Sequence, residues 1–324
     1  MKKLISIIGP MHNEEALVFQ FCEETLRALE PIADRYDIEL LLVEDGSKDR
    51  TFEQMKSAHA RFPEAISLLR LTRNFGLEGA IQAGLKAASG DAVVVMDADL
   101  QDPPAVILEM VRAWEQGADI VVGSRSGRPS DSFFKRSTAR IFYKAMDSLS
   151  GKLKLEESAA NFRLLDRKAV SKLLELPEVN GVFRVLVPYL GMNTSVVAYE
   201  RDKRFAGETK YKLMSMVRYA LDSLTGISIE PLRKIGLAGV VSLFFVIASV
   251  GALCVAPSEW AAPLVICAII SLQFSLLFFI LAVIGEYLGQ LHIESKRRPI
   301  ALPYEFQSSA SSMRRKSAVI APGV

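Results

Sequence analysis

Val93-Val94-Val95-Met96-Asp97-Ala98-Asp99-Leu100-Gln101-Asp102-Pro103 sets a short apolar run directly before two carboxylates with one residue between them. Such a run, bounded by acids and a proline, reads as a buried strand, predicted over Ala92–Met96. Side chains two apart on an extended chain point the same way, so Asp97 and Asp99 face one ligand. Paired hard oxygens at a strand end suit Mg²⁺ or Mn²⁺, bridging to a diphosphate and offsetting its charge as it leaves. Gln101 continues the spacing and adds a neutral oxygen. A solvated turn uses the same residues, and the place at the end of a buried strand favours the ligand-binding reading.

Outward from this stretch, apolar runs of strand length recur at Leu4–Ile8, Ile38–Val43, Ala65–Leu69 and Ile120–Val122. Helical patterns fall between them at Glu14–Leu29, Thr51–Phe62, Glu78–Ala88 and Pro104–Gln116. Strand and helix alternating at this pitch predict an α/β fold with a mainly parallel, Rossmann-like sheet. Ligands bind such sheets beyond the carboxyl ends of the strands, where Pro10–Glu15, Glu44–Asp49 and Asp97–Asp102 fall. There is no GxGxxG after the first strand and no GxxxxGK[ST], which disfavours a dinucleotide oxidoreductase or an ATPase. His12, His59 and His292 are scattered, without zinc spacing. Glu44-Asp45-Gly46-Ser47 reads as a turn ending in a helix cap, with Asp49 or Thr51 as N-cap, or as a carboxylate accepting from a nucleobase imide. The two readings are compatible.

A formal charge of +2 over 324 residues gives no ground for a nucleic-acid partner. Cys22, Cys254 and Cys267 form no disulfide framework, which fits a reduced, cytoplasmic catalytic domain. Met1-Lys2-Lys3 precedes an apolar run too short for a signal peptide.

Residues 235–285 carry one charge, Glu259, in contrast to the alternating pattern before them. Ile235–Val255 and Ala261–Gly285 are each long enough to cross a bilayer, at about 1.5 Å per helical residue. Arg233 and Lys234 precede the first, and Lys296, Arg297 and Arg298 follow the second; the link between has no basic residue. This predicts a two-helix transmembrane hairpin with both ends cytoplasmic. The tail from Ser308 is rich in serine and is expected to be disordered or lightly membrane-bound.

Pro10-Met11-His12-Asn13-Glu14-Glu15, Val43-Glu44-Asp45-Gly46-Ser47, Arg73-Asn74-Phe75-Gly76, Asp97-Ala98-Asp99-Leu100-Gln101-Asp102-Pro103 and Phe162-Arg163-Leu164-Leu165-Asp166-Arg167 occur in this order. Together they resemble the inverting polyprenyl-phosphate glycosyltransferases, relatives of dolichol-phosphate mannose synthase and of the bactoprenol glucosyltransferases. The likeness covers roughly residues 4–304 and includes Gly285-Glu286-Tyr287-Leu288-Gly289.

The resemblance implies a GT-A catalytic domain over 1–210, a juxtamembrane segment over 211–234, spans at 235–255 and 261–285, and a cytoplasmic tail over 286–324. It implies a UDP-sugar donor, probed here first as UDP-glucose, with a different sugar or GDP-mannose as alternatives. The acceptor is a polyprenyl phosphate, the cofactor Mg²⁺ or Mn²⁺, and the place the bacterial inner membrane. Pro10, Glu14 and Asp45 would contact the nucleoside; Asp97, Asp99 and Gln101 would hold metal and diphosphate. Arg125 and Arg136 match basic positions facing donor and acceptor phosphates, with Arg163, Arg204, Lys210 and Tyr211 as further carry-overs. Two departures stand out. Glu44 replaces the usual first Asp, and Asn161 stands where relatives often have Asp. Asn161 is no general base.

Basic amphipathic patterns over 132–150 and 211–224 read as interfacial helices that bring the site to lipid headgroups. Homo-oligomerisation is left open. A processive polysaccharide synthase needs a Gln-x-x-Arg-Trp motif, yet neither Trp114 nor Trp260 follows an arginine. A catalytically dead scaffold is the non-enzyme alternative, and the intact acidic cluster argues against it.

Overall fold

The computed structural model describes residues 2–125, 159–176, 182–201, 241–248, 251 and 261–320. These fall into two compact units, one of residues up to 201 together with 299–320, the other of 241–251 and 261–298.

The first unit is built on an eight-stranded sheet: β1 (Lys3–Met11), β2 (Tyr36–Glu44), β3 (Ile66–Leu71), β4 (Ala92–Val95), β5 (Ile120–Arg125), β6 (Ala159–Asp166), β7 (Thr194–Tyr199) and β8 (Pro303–Gln307). Their spatial order is β7-β5-β6-β4-β1-β2-β3-β8. Strands β1 to β4 pair in parallel, as does β5 with β7, while β6 runs antiparallel between β4 and β5, and β8 antiparallel beside β3. The ends of β1, β2, β3, β4, β5 and β7 and the start of β6 therefore lie along one edge.

Helices cover both faces. One core holds Phe21 and Cys22 of α1 (Val18–Leu29), Met55 of α2 (Thr51–Arg61), and Ile107 and Met110 of α4 (Val106–Glu115). The other holds Ile81 and Leu85 of α3 (Gly76–Ala87), Val170 of α5 (Arg167–Glu175), and Phe183 and Val187 of α6 (Phe183–Tyr189). Burial on both faces explains why β1, β2 and β4 are written as largely apolar runs, interrupted by the buried Ser6 in β1 and Glu39 in β2. Cys22 packs as a small hydrophobe, and burial pushes its thiol up to about 12.

The five expected strands and four expected helices are present with shifted ends. β6, β7 and β8 depart from the expectation, and their sequences show why. Buried Arg163 and Asn161 break the apolar run of β6, while β7 alternates exposed and half-buried residues as an edge strand does.

The expected disorder of the tail is corrected. β8 hydrogen-bonds to β3, and α8 (Ala310–Ile320) follows it. The first free N–H groups of α8 donate to carbonyls of the loop before β3: Ala310 N to Pro63 O at 3.0 Å and Ser311 N to Glu64 O at 3.2 Å. Glu39, fully buried, accepts from Ser6 Oγ, from Ser67 Oγ at 2.7 Å and from Ser89 N at 3.2 Å. Ser309 N joins this network through Ser67 Oγ at 2.9 Å, and Arg315 pairs with Asp91. Serines that read as low complexity are the polar shell of a buried carboxylate.

In the second unit, α7 (Ala261–Ser295) is one helix long and apolar enough to cross a membrane by length and composition. Its most apolar window has a mean hydropathy of 2.4 and is unburied. The helix continues beyond the expected end at Gly285, because one glycine costs a helix only about 1 kcal/mol and good helix formers follow. Residues 241–248 are helical, and Ser242 Oγ donates to Gln273 Oε1 at 3.0 Å. Most of 235–255, and all of 132–150 and 211–234, lie outside the described residues.

Candidate active site

The loops after β1, β2 and β3 interlock at one end of the strand edge. Asp45, 3% exposed, accepts from Phe75 N at 2.6 Å through Oδ1 and from Gly76 N at 2.9 Å through Oδ2. Those N–H groups open α3, so Asp45 supplies from β2 the anion that a helix start favours. Burial raises its carboxyl despite these bonds. Gly46 sits at φ +61°, and a Cβ there would lie 2.2 Å from Asn74 N and 2.4 Å from the Arg73 carbonyl carbon. Only glycine allows the two loops to touch. His12 Nδ1 donates to Asp45 O at 2.7 Å, and Glu14 N donates to Thr51 Oγ1 at 2.9 Å.

Of the two readings of 44–49, the structural one is visible. Glu44 accepts from Ser47 N and pairs with Arg70 at 3.4 Å. Arg50, rather than Asp49 or Thr51, occupies the cap position of α2, while Asp49 Oδ1 takes Thr51 N at 3.0 Å. Pro10 is half-buried beside Val43 on β1, and the expected nucleoside residues Pro10, Glu14 and Asp45 share this end of the edge.

Beyond β4 lies the acidic cluster. The strand ends at Val95, and Leu100 adopts φ 55°, so alternation does not extend to Gln101, whose N–H turns back to Asp99 Oδ1 at 3.2 Å. What brings the charges together is a third acid. Asp102 is fully buried, and its Oδ1 accepts from Tyr199 Oη at 2.6 Å. Arg125 Nη2 lies 3.4 Å from both its oxygens, and Arg201 Nε lies 3.4 Å from Oδ1. Arg201 Nη2 also lies 4.0 Å from Asp99 Oδ2. Asp97 is pushed up to about 6, first by burial, then by Asp102 and Asp99, while Arg125 and Arg201 act against this.

The chemistry of this donor set fits a divalent cation. Two adjacent carboxylates in an environment with excess negative charge are what a hard cation relieves, and Mg²⁺ binds through one or two carboxylates with substrate phosphates. No three His, Cys, Asp or Glu side chains among the described residues form a preformed metal cage. Asp97 and Asp99 would hold the ion, with phosphate and water completing its shell.

Arg163 lies in the interior of the fold. It is 1% exposed, donates Nη1 to Arg184 O at 3.1 Å and lies 5.8 Å from the Phe183 ring centroid, so it is built into the packing of α6. Asn161 lies on β6 two residues before Arg163, whose partner on β4 is Val95, the last residue of that strand. Its Oδ1 is buried and makes no hydrogen bond among the described residues. Arg136, Arg204 and Lys210 lie outside the described residues.

Tyr199 and Arg201 were not expected. They lie about 100 residues beyond Asp102, and no spacing links them to it. The signal is the β5–β7 register, which sets Arg125 directly opposite Tyr199.

Residues 6–174 match the model of glycosyl transferase family 2. Over 303 residues the chain is 36% identical to the glycosyltransferase YkcC of Bacillus subtilis, covering 91% of each. It is 38% identical over 300 residues to the bactoprenol glucosyl transferase of Shigella phage SfV, covering 91% of this chain and 96% of that one. It is 36% identical over 310 residues to the prophage bactoprenol glucosyl transferase homolog of Escherichia coli, covering 91% and 96%. With a GT-A-like α/β sheet carrying this acidic cluster, the chain belongs to glycosyl transferase family 2 and is a glycosyltransferase.

Proposed function

We propose that this enzyme transfers glucose from UDP-glucose to a polyprenyl phosphate, with inversion, at the cytoplasmic face of a bacterial inner membrane. The observation that carries the proposal is the strand-end edge itself. A nucleoside-side cluster around Asp45 and an acidic, arginine-flanked cluster around Asp97 and Asp99 lie along it in sequence order. The names of the relatives support the lipid acceptor.

The membrane reading gains support from the tail. Because β8 pairs with β3, the chain before and after α7 shares one aqueous side. An odd number of crossings between them is topologically impossible. A crossing by α7 therefore requires a second, which the sequence assigns to Ile235–Val255.

The mechanism follows from the acceptor. A phosphate monoester has a second pKa of about 6, so it is anionic near neutral pH and needs no general base. Its oxygen bonds to the anomeric carbon as the bond from that carbon to the donor diphosphate breaks, which inverts an α-linked donor to a β-linked product. Asn161 takes no proton; its buried Oδ1 accepts from a donor hydroxyl. Arg125, steadied by Asp102 and Tyr199, neutralises phosphate charge at the cluster, and Arg136, Arg204 and Lys210 serve the acceptor phosphate. Asp97 and Asp99 would hold a divalent ion, which would supply Lewis-acid stabilisation for the leaving diphosphate.

The test is incubation of the full chain with undecaprenyl phosphate and a panel of labelled nucleotide-sugars. The expected result is label in the organic phase with UDP-glucose and a β-linked product. Label from another donor alone would move the sugar assignment; no lipid-linked label from any donor would defeat the acceptor assignment.

A further inference from the structure

Arg201 lies two residues beyond the end of β7, and its guanidinium has two unequal partners. Nε lies 3.4 Å from Asp102, which is buried, whereas Nη2 approaches Asp99 only to 4.0 Å, beyond hydrogen-bond range. The side chain keeps 33% of its surface exposed, against 15% for Asp99, so it lies on the solvent side of that carboxylate. A guanidinium anchored through Nε still presents its outer N–H groups, in a fork that matches phosphate better than a single carboxylate oxygen 4.0 Å away.

We propose that Arg201 is a donor-binding residue that exchanges partners: it neutralises Asp99 in the empty site and passes to the donor diphosphate when the nucleotide-sugar binds. This rests on the reading of Asp97 and Asp99 as the divalent-cation site. The charge count among the described residues supports the exchange. There, Asp97, Asp99 and Asp102 against Arg125 and Arg201 leave the ionised cluster at about minus one. A divalent cation alone turns it to plus one and sets the ion against Arg201 for the same carboxylate. Adding the diphosphate restores a net negative balance and gives Arg201 a second anion. Arg201 therefore opposes the metal without donor and aids the donor once the metal is present. The opposite signs distinguish this role from simple support of the fold.

The experiment uses the full chain in detergent, wild type beside Arg201→Ala and Arg201→Lys. Mn²⁺ affinity is read by electron paramagnetic resonance without nucleotide, and UDP affinity by calorimetry at saturating Mn²⁺. We expect Arg201→Ala to bind Mn²⁺ about three- to tenfold more tightly and UDP about tenfold more weakly. Arg201→Lys, with one charge but no fork, should keep near-wild-type Mn²⁺ affinity and still lose UDP affinity. Equal Mn²⁺ affinity in wild type and Arg201→Ala, or both affinities moving the same way, would overturn the exchange while leaving the metal site intact. No Mn²⁺ binding by any of the three would overturn the metal reading and the exchange with it.

Discussion

Tyr199 at the end of β7 donates its hydroxyl to Asp102 Oδ1 across 2.6 Å, joining the loop after β4 to a strand three positions beyond it in the sheet. The Phe162 ring meets Tyr199 edge-on at 5.6 Å, which fixes the donor's direction. Asp102→Asn would leave Arg125 and Arg201 without their shared buried counter-charge. We expect a loss of about 2–3 kcal/mol, the low end for a broken buried pair because both arginines are about a third exposed. Tyr199→Phe leaves that counter-charge in place and should cost about 1 kcal/mol. Denaturant unfolding of both variants in detergent checks the order; a reversed order would remove Asp102 from the centre of the cluster.

Asp97 is expected to cost the metal-free protein stability above its pKa. Its folded value of about 6 exceeds the ordinary carboxylate value, so its contribution is fully present below the unfolded pKa of about 4 and is lost as pH rises through 6. Asp97→Asn should therefore be more stable than wild type by about 1–2 kcal/mol at pH 8 in chelator, with the gap shrinking towards pH 4.5. Thermal unfolding at both pH values measures this. A gap independent of pH would show that Asp97 is not the strained group.

Gly46→Ala is expected to separate the two ends of the site. A methyl group at 2.2 Å from Asn74 N forces the Arg73–Gly76 loop away and breaks the bonds that Asp45 makes to Phe75 and Gly76. The cost should exceed about 2 kcal/mol, and UDP affinity should fall while Mn²⁺ affinity holds. Loss of both affinities in a folded variant would contradict the separation.

Deleting residues 303–320 should uncover the whole edge of β3 and the Glu39 network. An apolar edge such as Ile66-Ser67-Leu68-Leu69 invites pairing between copies. We expect a lower unfolding temperature and time-dependent light scattering in detergent. Arg315→Ala, which removes only the Asp91 pair, should change stability by less than about 1 kcal/mol. A truncated protein as stable and monodisperse as wild type would show that the tail is dispensable to the sheet.

The parallel half of the sheet was legible because strands buried on both faces must be written as apolar runs, and β1, β2 and β4 are. Asp45, Asp97 and Asp99 were legible because they stand directly after those runs. β6 was not, since its centre carries Arg163, a charge that the chain hides against Phe183 and the Arg184 carbonyl. The same residue shows the limit of motif likeness: the sequence names Arg163 but not that its guanidinium is packed inside the fold. Tyr199 and Arg201 required the pairing of β5 with β7, which brings together residues 74 positions apart. Ser309 and Ser312 were misread because their partners, Ser67 and Ser89, lie more than 220 residues earlier.

That last separation also sets a clock. β3 is complete at Leu71, yet the strand that covers its outer edge begins at Pro303, about 230 residues later. At roughly 5–20 residues per second, the ribosome leaves that edge uncovered for on the order of 10–50 s. For that interval the growing sheet keeps one adhesive border, while β4 to β7 and the apolar segments that follow are still being delivered. Slower synthesis of the segments between them prolongs the exposure in proportion, so the rate of elongation sets how long β3 can pair with another chain.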